Sequence, residues 1–105
     1  MEQPNLNYIN ELSGSDIEFK KSIILILQEE LPKEIDTYYT LIGNQNFVAT
    51  SELVHKLKHK ISVLGLDKSY YIAEDFEAGL KRNDFSLRIR FEEILAIMQK
   101  FVFDL

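Results

Sequence analysis

Cysteine is absent from the 105 residues, so the fold has neither a disulfide nor a thiolate metal site, a pattern that fits a reducing compartment. Proline occurs twice and glycine four times, which leaves long helices with little to interrupt them. No apolar run exceeds Ile23–Leu27, far below the roughly 20 residues that a membrane-spanning helix needs. No basic and then apolar leader precedes the first polar residues, so no secretory signal is expected. The chain therefore reads as a cytoplasmic protein without membrane insertion. Basic residues are outnumbered, 12 against 17 acidic, for a net charge of −5. With no Lys/Arg cluster suited to a phosphate backbone, nucleic acid is not an expected partner. There is no glycine-rich phosphate loop and no G-x-S-x-G elbow for a serine nucleophile. The adjacent carboxylates Glu29/Glu30 and Glu92/Glu93 point to different sides of a helix and read as solvated faces.

What is present is ordinary globular composition, 46% hydrophobic and 28% charged, on a length suited to one domain over residues 1–105. Ser15 followed by Glu18 forms a capping-box pattern, and behind it Ile17, Ile23, Ile24, Leu27 and Leu31 recur at helical spacing. Pro32 fits the first turn of a new or kinked helix that carries Ile35, Tyr38, Tyr39 and Ile42 and ends at Gly43. Asn46 is the next expected N-cap, opening a helix from Phe47 to Leu64 that Gly65 ends. Asp67 is placed to cap a helix continuing to Lys81. Asp84 is placed to cap a last one with Leu87, Phe91, Ile94, Leu95, Met98 and Val102 as its apolar stripe. Tyr8, Ile9 and Leu12 mark a short lead-in helix. Short links favour antiparallel neighbours, so the expected fold is all-α: an antiparallel up-down four-helix bundle with a short N-terminal lead-in helix.

Both histidines lie in "VHKLKHKISVLGL", Val54 to Leu66, four residues apart. At about 100° per residue, with His55 at zero, Leu53, Leu57, Ile61 and Leu64 fall between roughly 160° and 240°. Ser51, Glu52, Lys58, His59 and Ser62 fall within about 60° of His55, opposite that apolar face. A core histidine would share the apolar face, and neither does. A solvated polar face explains the same residues without any function, and composition does not separate the two. The i, i+4 spacing is also one that zinc-binding helices use. Zinc needs three or four protein ligands, however, and there is no cysteine or third histidine, while Lys58 adds an unfavourable charge. A third option is a nucleophile towards phosphorus: imidazole, with an unperturbed pKa near 6.5, is mostly neutral at pH 7, and an adjacent Lys58 can stabilise a phosphoryl group.

At this point the residues resemble the histidine-containing phosphotransfer (HPt) domains of multistep phosphorelays. That family's central helix carries a pattern close to A-H-x-L-K-G-x-x-x-x-L-G-a, which His55, Leu57, Lys58, Leu64 and Gly65 match in register. "SGSDIEF", "GNQNFVA" and "DFEAGLKRND" are similar to the family's flanking helix ends, so the likeness runs from about Tyr8 to Phe103. The resemblance implies a phosphorelay carrier and not an enzyme, with His55 as phosphoacceptor and Lys58 as the phosphoryl-stabilising cation. It implies a receiver-docking face of Ser51, Glu52, His59 and Ser62. The implied partners are response-regulator receiver domains, a hybrid sensor histidine kinase, or both. It implies no cofactor and no metal in this chain, the magnesium residing on the receiver. His59 departs from the pattern, standing where the family has glycine. It can donate a hydrogen bond to the phosphoryl group, obstruct docking, or act as a second acceptor; the first is the expectation. The remaining readings are a docking module of the same fold that is never phosphorylated, and a His/His metal-binding bundle.

Overall fold

The computed structural model describes all 105 residues and contains five helices and no strand. They are α1 (Asn7–Ser13), α2 (Ile17–Gly43), α3 (Phe47–Val63), α4 (Asp67–Lys81) and α5 (Arg88–Phe103). Helix α3 packs most extensively on α4. Pairs α2–α3, α4–α5 and α2–α5 complete a closed ring of contacts, and α1 lies against α2. One cluster of 20 buried apolar residues fills the ring, drawing Leu31, Ile35 and Tyr38 from α2, Leu57 and Ile61 from α3, Phe76 from α4 and Phe91 and Met98 from α5. The fold is thus all-helical, with the helices bundled about a common core.

Helix α2 runs unbroken through Pro32, where the sequence pointed to a new or kinked helix. Leu27, Leu31, Ile35, Tyr38 and Ile42 are all buried, and this stripe crosses the proline without a change of phase. A proline inside a helix costs about 3 kcal/mol, while each large apolar side chain buried recovers about 1.5–3 kcal/mol, so the stripe decides the outcome.

Three caps also differ from expectation. Asp16, not Ser15, caps α2: its Oδ1 accepts the Phe19 N–H at 3.0 Å, and Asp16 has the extended backbone that an N-cap requires. Asp67 lies inside the first turn of α4 and caps nothing; the open N–H groups of Lys68 and Ser69 each donate instead to Glu2, at 2.9 Å. Asp84 accepts from Ser86 at 3.1 Å in a turn, and α5 begins only at Arg88. That turn is drawn tightly onto α4, since a Cβ on Gly79 would stand 2.6 Å from the Asp84 carbonyl oxygen. The expected Asn46 cap is present, accepting the Ala49 N–H at 3.3 Å, and Gly65 leaves α3 with φ at +75°.

Candidate functional site

The apolar face drawn for α3 is buried as drawn, with Leu53, Leu57, Ile61 and Leu64 all in the core. The opposite face is narrower than the wheel implied. Ser51 and Lys58 both fall on the same flank of His55, and helix α4 covers that flank. Ser51 is 1% exposed and donates its hydroxyl to the Val48 carbonyl at 2.7 Å, lining the depression that also holds His55 and Glu52. The Lys58 side chain is 8% exposed, so it is not the open cation that the wheel suggested. Glu52, His55, His59 and Ser62 remain exposed, with Lys56 beside them.

The His55 side chain is 57% exposed, and its Nδ1 lies 3.2 Å from Oε2 and 3.3 Å from Oε1 of Glu77 on α4. Lys58 reaches the same carboxylate, its Nζ 2.9 Å from Glu77 Oε1 and 3.7 Å from Glu74 Oε2, and stands 5.5 Å from the centre of the Tyr70 ring. Lys81, one turn along α4, lies 3.8 Å from Glu77 Oε2. Glu77, only 13% exposed, therefore joins the histidine to two lysines. Burial pushes its carboxyl pKa up, but the hydrogen bonds and charges of Lys58 and His55 outweigh this and hold it below the usual range. Burial likewise opposes the charge of Lys58, and the Glu77 hydrogen bond and field prevail, raising its pKa. Both groups are thus ionised at neutral pH, and an ionised carboxylate can only accept, which places the proton of a neutral His55 on Nδ1. In that neutral form the Nε2 lone pair is free, and Nε2 makes no hydrogen bond within the protein.

Sequence reasoning missed Glu77, although "DFEAGLKRND" contains it. The usable signal was negative: Lys58 has no carboxylate at i±3 or i±4 on α3, so a lysine on the flank of a packed helix must find its counter-ion on another element. His59 stands edge-to-face with His55, ring centres 5.7 Å apart, and borders a depression walled by Ser62, Asp67, Tyr70 and Tyr71. No three His, Cys, Asp or Glu side chains are grouped to hold a metal ion. Among known proteins, no family model, curated sequence or solved structure matches this chain.

Proposed function

We propose that this protein is a phosphorelay carrier of the HPt type, in which His55 accepts a phosphoryl group from a receiver-domain aspartate and passes it to another receiver. The observation that carries this reading is the exposed His55 ring, tethered through Nδ1 to an ionised and largely buried Glu77, with Nε2 free. The helix ring fits it: links of a few residues join α2 to α3 and α3 to α4, which favours the antiparallel up-down arrangement of α2 to α5.

In the proposed step Nε2 attacks phosphorus, the phosphorus–oxygen bond to the aspartyl group breaks, and its electron pair leaves on the receiver's carboxylate. The proton stays on Nδ1. The ring becomes cationic as the nitrogen–phosphorus bond forms, and Glu77 is already in place as the compensating anion. Lys58 keeps Glu77 ionised and oriented.

Incubation with a phosphorylated receiver domain, followed by intact-mass analysis and tests of acid and alkali lability, checks the reading. The expected result is one acid-labile, alkali-stable phosphoryl adduct that His55→Gln loses while its melting is unchanged. An adduct that persists in the variant refutes His55 as acceptor. No adduct with any of several receivers refutes the carrier role and favours a docking module that is never phosphorylated.

A further inference from the structure

A phosphoryl group on Nε2 adds up to two negative charges at the surface, and the chain must supply or forgo a cation to meet them. Lys58 is poorly suited. Its side chain is only 8% exposed and its ammonium lies 2.9 Å from Glu77, so turning it outward would leave a carboxylate that is only 13% exposed without its closest partner. Lys81 stands differently. Its side chain is 62% exposed, its contact with Glu77 is long at 3.8 Å, and leaving that contact strands nothing because Lys58 still holds the carboxylate. Lys81 and His55 also line one surface depression, together with Ser51, Glu52, Lys56 and Glu77.

We propose that the exposed ammonium of Lys81, and not that of Lys58, is the cation that meets the phosphoryl group on His55. The inference rests on His55 being the acceptor. It divides two tasks between two lysines that share one carboxylate: Lys58 fixes Glu77, and through it the His55 tautomer, while Lys81 moves from Glu77 to the phosphoryl oxygens. Lys56 lines the same depression but rises from the residue after His55 on the same helix, about 100° around the axis. Lys56 makes no ion pair, whereas Lys81 is already anchored beside the ring through Glu77.

Phosphoramidate is a suitable donor because it needs no receiver. Its phosphorus–nitrogen bond breaks, the protonated nitrogen leaves as ammonia, and the bond from phosphorus to Nε2 forms. Phosphohistidine lifetime would then be followed by phosphorus NMR at low and high salt for wild type, Lys81→Ala, Lys81→Arg and Lys56→Ala. We expect Lys81→Ala to shorten the lifetime about threefold at low salt, the scale of one exposed ion pair, and to lose the salt dependence of the wild type. Lys81→Arg should restore both. Equal lifetimes in wild type and Lys81→Ala would overturn this inference alone, as would an equal loss in Lys56→Ala. Absence of any phosphohistidine signal in wild type would overturn the acceptor assignment itself, and this inference with it.

Discussion

Two of the three lysines of helix α3 look alike and sit on opposite flanks. On the α4 flank Lys58 pairs with Glu74 and Glu77; on the α2 flank Lys60 pairs with Glu30 at 3.0 Å and Glu34 at 2.6 Å. Both lysine side chains are largely covered, and in both burial opposes the charge while the carboxylates outweigh it and raise the pKa. The second cluster is the tighter, yet no histidine pairs with its carboxylates (His59 only borders the same depression as Glu30 and Lys60), and one oxygen of Glu34 is buried without a partner. The first includes an exposed imidazole. A lysine held by two glutamates therefore says little about function; what separates the flanks is the histidine that shares the carboxylate.

That contrast can be broken by mutation. The largest stability effect should come from Leu57→Ala, fully buried between the two lysines, at about 2–5 kcal/mol in urea unfolding. Both clusters depend on the position of α3 that it fixes. Next, Glu77→Gln should slow phosphoryl acceptance from phosphoramidate by about tenfold to a hundredfold, the worth of a hydrogen bond to a charged partner. Glu34→Gln should leave that rate unchanged and lower stability by about 1 kcal/mol; a slower rate in this variant would erase the distinction between the flanks.

Acid should also separate them. The carboxyl pKa of Glu77 is held below its ordinary value of 4.5, so its contribution to stability is complete above about pH 4.5 and is lost as the pH falls through the lowered value. Unfolding free energy measured at stepped pH should fall less steeply below pH 4.5 in Glu77→Gln than in wild type. Alkali should treat the flanks alike. Each lysine pKa is raised, so its contribution is present below about pH 10.5 and is lost as the pH climbs through the raised value. The smallest effect is expected from His59→Ala: acceptance from phosphoramidate within about twofold of wild type, since the ring has no carboxylate or lysine partner to lose. A tenfold loss would place His59 in the chemistry itself.

Much of the fold was legible because its determinants are local. The span of α3, its Asn46 cap, its Gly65 terminus and the lead-in helix α1 all follow from residues within one or two turns of the feature concerned. The turns after Gly43 and Lys81 were legible for the same reason. What escaped was decided at a distance. Pro32 stays helical because residues far along the chain bury the stripe around it. Nothing local reveals that Glu2, and not Asp67, caps α4.

The site divides the same way. The exposure of His55 is a property of its own helix and could be drawn on a wheel. The burial of Lys58 and Ser51, and the arrival of Glu77, belong to the contact between α3 and α4, for which the sequence of α3 holds no coordinate.

The clasp formed by Glu2 has a practical corollary. Its carboxylate gathers the first turn of α4, and nearby the Asn5 N–H donates to the Leu64 carbonyl at 2.9 Å while its side chain lies over Gly65. The first six residues thus act as a latch on the junction between the helix bearing His55 and the helix bearing Glu77. An affinity tag joined directly to Met1 would pull on that latch, whereas one joined beyond the exposed Phe103 would hang free of it. Assays of this protein should therefore be run on carboxy-terminally tagged material, and a difference between the two tagged forms would itself measure how strongly the latch sets the histidine.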